Sequence, residues 1–474
     1  MFWLLIPALW ARPLTFDEAL DHALAENLEL AQQRIGNTLV RHRLNTARAG
    51  FDPRLVAGVS ADQNKTPSNA VTDVGGAQPV ITSSGTSWNV GVSQALPTGG
   101  SLSAGVSEFQ SNTDSANALS ARFVASRANV SVSQPLLRGA GFGALADLRD
   151  AHLDLAAQEI VWQSQLEATI LALSDAYWGL LSARERLAIA ERGVELAEEQ
   201  LAETRERLDA GFAGSGDVLQ VQVLVGEASR SLVVARASVG SAEDRLARLL
   251  GMPVREGAGL ELSDRPEVPT ELPDRDVVLA TARDRNAAFG LARIQLERAR
   301  RATRRSRNGA LPDVDLQANA SWSAGGEDPG QVRSDLLTSP APSYGVGVNV
   351  ALPLVPRETR AAFGMAKLTL DQAELAFQAA EQDLELQVAD AVRALDADAA
   401  GLQAARQTLE HAKLSLDAQR ELLGEGRGST RDVVDALESL RGAEAAELDA
   451  RIALQLSVLR AEALAGTLVS VDTL

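Results

Sequence analysis

The amino-acid sequence predicts a mainly helical chain that also carries two-faced β-strands, organised as two copies of one plan. Three observations predict it. Short motifs recur in the same order in two halves of the 474 residues. The middle of each half alternates apolar residues with small or polar ones at the period of a strand. The end of each half repeats leucine and valine every seven residues over a length that marks a coiled-coil helix.

Repeats constrain every later assignment, because a repeated unit must be given the same structure twice. ALDHALAENLEL around Asn27 recurs as VLATARDRNAAF around Asn286, an offset of 259 that also lays Gly50 over Gly309 and Pro53 over Pro312. VSVSQPLL (130–137) recurs as VNVALPLV (348–355), with Pro135 over Pro353 and an offset of 218. GFAGSGDVL (211–219) recurs as GRGSTRDVV (426–434), with Asp217 over Asp432 and an offset of 215. The fall from 259 to 218 puts about 41 extra residues in the first half, and their source is visible: NVGVSQAL (89–96) returns 40 residues later as NVSVSQPL (129–136). One strand-bearing unit is duplicated inside the first half.

Residues 1–11, MFWLLIPALWA, read as a secretory signal peptide cut near Ala11, although no basic residue precedes the apolar run and Leu9 is large for its place before the cut. No run of about 18 apolar residues occurs elsewhere, so no transmembrane helix is expected and any span must be a closed barrel. Each half then opens on a helix, in 12–50 and in 275–309. Thr15 and Glu18 have the spacing of a capping box at the first. Both helices end basic: RARRATRRSR (298–307) holds six arginines in ten residues, and Arg41, Arg43 and Arg48 echo it in the first half. Such an end either complements the helix dipole in water or meets anionic lipid headgroups.

Strands follow, four in 51–138 and two in 310–357. Val346, Val348, Val350, Leu352 and Leu354 face one way, while Gly345, Gly347, Asn349 and Ala351 face the other. Val314, Leu316, Ala318, Ala320 and Trp322 form the preceding strand, and Val90 with Val92, Leu102 with Ala104 and Val106, and Val130 with Val132 repeat the pattern in the first half. A strand with one apolar and one wet face suits a membrane barrel and a soluble sandwich alike. Trp88, Phe109, Phe123, Trp322 and Tyr344 are the candidates for a thin aromatic girdle. The stretches 61–87 and 324–342 read as loops from their glycine, serine, asparagine, proline and threonine.

Long helical hairpins fill 139–250 and 358–467. Leu173, Leu180, Leu187, Val194, Leu201 and Leu208 form one heptad series, and Val388, Leu395, Leu402, Leu409, Leu416 and Leu423 form the other at the same offset of 215. The first return helix continues with Val218, Val225, Leu232, Val239 and Leu246. Ala190, Ala197, Ala405 and Ala412 leave room for close helix approach. A helix over 143–210 would run on the order of 100 Å at about 1.5 Å per residue. A proline-rich linker at 251–274 joins the halves, and 468–474 is a tail.

Composition removes several function classes. A net charge of −18 leaves no broad basic surface for a phosphate backbone, so no nucleic-acid partner is expected. The absence of cysteine removes disulfides, thiolate metal sites, thiol nucleophiles and an acylated N-terminal cysteine. His22, His42, His152 and His411 are scattered, and neither HExxH nor G-x-S-x-G occurs. No catalytic residue, metal or cofactor is therefore expected, and the chain does not read as an enzyme. Gly139-Ala140-Gly141-Phe142-Gly143 follows a strand and opens a helix, a loose echo of a phosphate-cradling loop. Its last glycine is misplaced and the helix behind it is too long for a nucleotide-binding unit, so it reads as a joint between strands and hairpin.

The opening LTFDEALDHALAENLEL (14–30), the strand-to-helix junctions, the order of helix, strands and hairpin given twice, and two tip motifs of the form G-x5-D-V resemble the TolC family of outer-membrane efflux proteins. The resemblance covers nearly the whole chain. It implies hairpins forming a periplasmic α-barrel, equatorial helices at 12–50 and 275–309, and strands contributing to an outer-membrane β-barrel shared by a homotrimer. The implied function is a passive duct for solutes in a tripartite efflux or type I secretion system. The implied partners are outer-membrane lipid, a periplasmic adaptor (membrane fusion) protein and an inner-membrane transporter. The adaptor would dock at the tips, marked by Gly211 and Val218 and by Gly426 and Val433. The family has two strands per half. The duplicated unit departs from that, giving either six strands per protomer and 18 in a trimer, or a hairpin folded outside the wall.

The family also carries an acidic pair at the second tip, forming a ring at the periplasmic entrance, and Asp432 and Asp435 match it. Carboxylates from three copies around one mouth would concentrate cations and repel anions. Asp217 matches an acidic gate contact. The family's tyrosine and arginine latch falls on Leu423 and Gly428 here, which leaves Arg427 and Arg431 as substitutes. Ser429-Thr430-Arg431-Asp432 is equally a helix-capping pattern, and Asp217 follows Ser215 in a similar way. A different class of function, a periplasmic coiled-coil scaffold, explains the heptads but not the alternating segments.

Overall fold

A computed structural model describes residues 13–67, 80–115, 118–141, 143–253, 260–264 and 272–468. The expected signal peptide, most of the linker, Phe142 of the glycine-rich joint and the tail beyond Leu468 lie outside the described residues. The fold is mainly helical with one sheet. The first half runs α1 (Phe16–Glu26), α2 (Leu28–Ala49), β1 (Arg54–Pro67), β2 (Val80–Ala95), β3 (Ser101–Thr113), β4 (Arg122–Pro135), α3 (Ala146–Asp209) and α4 (Ser215–Leu249). The second runs α5 (Arg275–Arg285), α6 (Ala287–Gly309), β5 (Asp313–Gly326), α7 (Pro329–Thr338), β6 (Ala341–Ala351), α8 (Arg357–Gly424) and α9 (Thr430–Ala465). The described residues up to Thr38, Ala157–Arg293 and those from Ala376 onward form one compact unit; Leu39–Ala156 and Ile294–Leu375 form the other.

In the first unit, the opening helix expected in each half is two helices. Thr15 starts α1 with a full capping box to Glu18. The helix then breaks at Asn27, whose φ of −65° and ψ of 125° are extended. The Asn27 carbonyl oxygen accepts the N–H groups of Glu29 and Leu30, and its amide donates to the Leu249 carbonyl at 2.9 Å. Asn286 breaks the second helix in the same manner, accepting from Phe289 and donating to the Leu464 carbonyl at 3.1 Å. Each asparagine thus caps a new helix and ties it to the end of a return helix. Apolar periodicity runs through both breaks, so a pattern reading sees one helix.

The core of this unit gathers where α1, α3, α4 and α9 meet. Tyr177, Leu173, Leu180, Leu246 and Leu250 are fully buried there. Tyr177 and Trp178 pack edge-on with ring centres 5.0 Å apart, and Phe16 lies against both. A bare phenol would be costly in such a core; the Tyr177 hydroxyl donates to the Leu14 carbonyl at 2.8 Å. The heptads form the hairpin seams, with Leu395 and Leu402 on Leu454 and Ala461, and Leu416 and Leu423 on Val433 and Leu437. Against the expectation of no such helix, α4 is long and apolar enough to cross a bilayer by length and composition, with mean hydropathy 1.3 over a window of which 22% is buried. Gln220, Gln222, Glu227 and Arg230 interrupt its apolar run in the sequence. Leu219, Val223, Val233 and Val234 leave this helix with an exposed apolar face.

The second unit is organised by the sheet, an antiparallel meander in the order β1-β2-β3-β4-β5-β6. The duplicated unit of the first half therefore lies within a continuous sheet. The hydrogen-bonded row from Arg54 passes through Ser93, Ser103, Ser131 and Asn319 to Gly345. The stretch 324–342, read as loop, contains α7. Asp328 caps it by accepting the Gln331 N–H at 3.1 Å, and Pro329 stands in its first turn. The arginines of α6 meet carboxylates of this unit: Arg298 pairs with Asp154, Arg300 with Glu374, Arg301 with Glu297, and Arg305 with Asp150. Their basic run is thus largely matched by acids on α3, α6 and α8. At the glycine-rich joint, Gly139 adopts φ of 80° and donates its N–H to Asn308 at 3.0 Å.

Candidate functional site

The two hairpin tips share one backbone. After α3, Gly211 at φ 80° donates to Leu208, Phe212 and Ala213 both donate to Arg207, and Asp217 donates to Gly214. After α8, Gly426 at φ 76° donates to Leu423, Arg427 and Gly428 both donate to Leu422, and Asp432 donates to Ser429. Every partner is displaced by 215 positions. Glycine suits the left-handed residue in both, because a side chain there would strain against the residue's own backbone even with open space around it.

The side chains differ. At the first tip Gly214 precedes the helix and has no side chain to offer, so the cap is one-sided: its N–H donates to the Asp217 carboxylate at 2.8 Å. At the second tip Ser429 closes a full capping box. Its N–H donates to Asp432 at 3.1 Å, its hydroxyl accepts the Asp432 N–H at 3.2 Å, and that hydroxyl also lies 2.7 Å from the carboxylate. The Ser429 hydroxyl and then its N–H hold the Asp432 carboxyl below the ordinary carboxylate range. Asp435 is exposed one turn on and lies 3.9 Å from Arg431. Both acids project into solvent at one helix start, and each has a local partner.

The other candidates divide. Gly211 and Gly426 are exposed turn residues, and Val218 is half-buried. Val433 is fully buried in the second tip's core, so its side chain holds the turn and is not a surface contact. Arg427 pairs with Glu425 of its own turn at 3.3 Å. Leu423, at the latch tyrosine's position, is buried. At the tips an arginine that bonds from one hairpin to the other is Arg207, which sequence reasoning missed. Its guanidinium donates to the Leu423 carbonyl at 3.2 and 3.3 Å, adding to the N–H that this carbonyl already accepts from Gly426 at the end of α8. Its one signal in the sequence was a basic residue in the last turn of a helix.

In the sheet, the pairing register sorts every side chain to one of two faces. Leu55, Ala57, Val59, Val90, Val92, Leu102, Ala104, Val106, Val130, Val132, Leu316, Ala318, Ala320, Val346, Val348 and Val350 share one face across all six strands. The opposite face carries Ser93, Asn89, Ser103, Ser107, Ser131, Asn129, Asn319 and Asn349 with Gly91, Gly105 and Gly347 between them. Serine hydroxyls pair across strands there, Ser60 with Ser87 at 2.7 Å and Ser103 with Ser131 at 2.6 Å. Of the five girdle candidates, Trp88, Trp322 and Tyr344 lie on the apolar face, whereas Phe109 and Phe123 fall on the polar one. Phe109 and Phe123 are one residue out of phase with the valines, which composition does not reveal.

One carboxylate interrupts the apolar face. Glu108 sits beyond Val106 with 5% of its surface exposed. Helix α7 packs on β4 and β5 there, with Val332 buried, and its Arg333 clasps Glu108 through two bonds of 2.7 Å. The Ser126 hydroxyl and the Trp88 indole complete the carboxylate's partners at 3.0 and 3.3 Å. Among the described residues no group of three histidines, aspartates or glutamates is placed to hold a metal ion.

The family described as outer membrane efflux protein matches residues 19–252 and 278–467. The chain belongs to that family. An outer membrane efflux protein, it is 26% identical over 332 residues to the outer membrane protein TolC of Escherichia coli (strain K12), a match covering 67% of this chain and 65% of TolC. The outer membrane efflux protein BepC of Brucella suis biovar 1 (strain 1330) is 26% identical over 331 residues, with 68% and 66% covered. The match thus spans just under two thirds of the TolC chain. Among solved structures, the outer-membrane channel OprN aligns with TM-score 0.72 at 18% identity, covering 95% of this chain and 89% of its own. The open state of the Neisseria gonorrhoeae MtrE outer membrane channel aligns with TM-score 0.67 at 20% identity, covering 96% and 89%. These likenesses give the fold of an outer-membrane channel, and the family places this efflux protein in the outer membrane.

Proposed function

We propose that the chain is one protomer of a passive homotrimeric duct that carries solutes out of the cell, in a tripartite efflux or type I secretion system. An adaptor would meet the hairpin tips in the periplasm, and an inner-membrane transporter would supply the energy and select the cargo. In this reading the two halves are repeats of one ancestral unit. The matched tip hydrogen bonds and the matched asparagine breaks support that. The observation that carries the duct is the two-faced sheet: an apolar face that runs across all six strands, broken by Glu108 where α7 covers it, suits lipid, and a face rich in serine, asparagine and glycine suits a water-filled lumen. A coiled-coil scaffold would have no use for such a sheet. The exposed apolar face of α4 suits a neighbouring copy better than lipid, because it belongs to the hairpin and not to the sheet. Asp432 and Asp435 would ring the periplasmic mouth.

The test is conductance in a planar bilayer. The purified trimer should conduct and prefer cations. Asp432→Ala with Asp435→Ala should move the reversal potential in a salt gradient toward zero preference, by roughly the change that removing a charged ring brings in a narrow pore. An unchanged reversal potential would remove the ring, and absence of any conductance would remove the duct.

A further inference from the structure

We propose that the duplicated hairpin is part of the barrel wall, so that three copies, joined β6 to β1, close 18 strands where the family's two strands per half would give 12. The shared barrel and the number of copies rest on the trimeric duct above; the six-strand share of each copy rests on the sheet.

Four observations carry it. The sheet is open: β1 and β6 end the order β1-β2-β3-β4-β5-β6 and each has a neighbour on one side alone. Both edges are long, 14 and 11 residues. Both are apolar and exposed, with Leu55 74%, Val59 81%, Val346 79% and Val348 61% accessible. A long, flat, apolar edge is a template for another strand, and hydrocarbon leaves no water to satisfy it. Six strands are also too few to close alone, since the smallest membrane barrels have about eight.

The geometry selects a second copy of this chain as the occupant. An even strand count makes β6 and the next copy's β1 antiparallel, as every other neighbouring pair is. The contact is head-to-tail and closes into a ring when the rotation allows. The stagger meets that condition. The row that starts at Arg54, the first residue of β1, arrives at Gly345, six residues short of the end of β6 at Ala351. At about 3.3 Å per residue this is a climb of about 20 Å, over five spacings of about 4.8 Å. The slant is near 40°, within the tilt of closed membrane barrels, about 35–45°. Face continuity then restricts the register. Leu55, Ala57 and Val59 must stand opposite Tyr344, Val346, Val348 or Val350, because a slip of one residue would turn valines into the polar lumen.

The consequence is width. Barrel diameter grows roughly linearly with strand number, so 18 strands give a rim about half again as wide as 12. Barrels of about 16–18 strands hold an open aqueous channel rather than a packed core, and the Ser, Asn and Gly face is what such a channel requires.

The natural sequence has no cysteine, so introduced thiols are the only ones. Ala57→Cys would be combined in turn with Val346→Cys, Val348→Cys and Val350→Cys on the same face, and with Gly347→Cys and Asn349→Cys on the opposite face. After oxidation of the full chain in membranes, at least one same-face pair should give dimer and trimer bands on a denaturing gel, and opposite-face pairs should give none. No same-face crosslink from a chain that still forms a conducting trimer would overturn the seam while leaving the duct standing. A chain that neither trimerises nor conducts would instead sink the duct. A second measurement concerns width: polymers added from the barrel side should enter the rim of the parent at larger sizes than in a chain lacking residues 90–129, which rejoins Asn89 to the matching strand at Val130. Equal size limits in two assembled trimers would place the hairpin outside the wall and overturn the 18-strand barrel.

Discussion

The two halves of the chain put one backbone to different chemical use. At the tips the hydrogen bonds coincide partner for partner, yet the first begins its return helix on a bare glycine and the second on a serine locked to an aspartate. In the strands the first half adds a hairpin and leaves the sheet plain, while the second inserts a helix whose arginine reaches back to the first. The lesson is that the scaffold tolerates local divergence wherever backbone groups remain satisfied, and that the divergent side chains are where the halves acquire separate duties.

The insertion offers the sharpest break in the comparison. Arg333→Ala leaves Glu108 buried on an apolar face without its cationic partner, held by Ser126 and Trp88 alone, and should give the largest loss of stability in this set. The urea midpoint of the extracted protein should fall accordingly, and Glu108→Gln in the same chain should restore part of it. An unchanged midpoint would mean α7 is held by apolar packing alone. The asparagine breaks come next. Asn27 makes three bonds and Asn286 two, so Asn27→Ala should cost about 2 kcal/mol and Asn286→Ala about 1 kcal/mol. Equal losses in thermal melts would show the two joints to be equivalent.

The tips differ by less. Ser429→Ala should cost about 1 kcal/mol locally, and Gly214→Ser should gain a few tenths by building the second tip's cap at the first. The second cap is also acid-sensitive. The Asp432 carboxyl is held below its unfolded value, so its contribution is present above that value and is lost as pH falls through the lowered one. Hydrogen exchange at the first amides of α9, corrected for intrinsic rate, should quicken on acidification in the parent and lose that dependence in Ser429→Ala. A separate dependence on pH is expected at Glu167, which burial pushes up to about 7. Its matched position 215 residues on is Gln382. A raised value in the fold means this group's share of stability falls as pH rises from about 4.5 to about 7. Glu167→Gln should flatten that slope between pH 5 and pH 8, and an unaltered slope would assign it to other groups.

What the sequence shows follows the range over which each pattern acts. The seams were legible because a heptad is local: Leu180, Leu395 and Leu402 are buried where the sevenfold spacing puts them. The alternating valines were legible for the same reason, since strand period needs no partner. Asn27 was not, because its break depends on a carbonyl 222 residues away. The clasp of Arg333 on Glu108 spans 225 residues, and α7 hid inside a composition typical of loops, although Asp328 and Pro329 are a helix start in miniature. Arg207 escaped because its acceptor, a main-chain carbonyl of the other hairpin, leaves no mark on the sequence. At the tips, S-x-x-D identified the cap at Ser429 and Asp432, whereas Val433 turned inward because the turn needs an apolar plug beneath it.

The hydroxyl and amide groups of the sheet's polar face have a kinetic meaning. Small, uncharged and closely spaced, they trade hydrogen bonds with a passing molecule on much the same terms as liquid water does. In the proposed duct, a traveller crossing these groups would find no favoured stopping place between charged positions such as Arg127 and Asp315, so its progress there would be set by viscosity and by how much room it has.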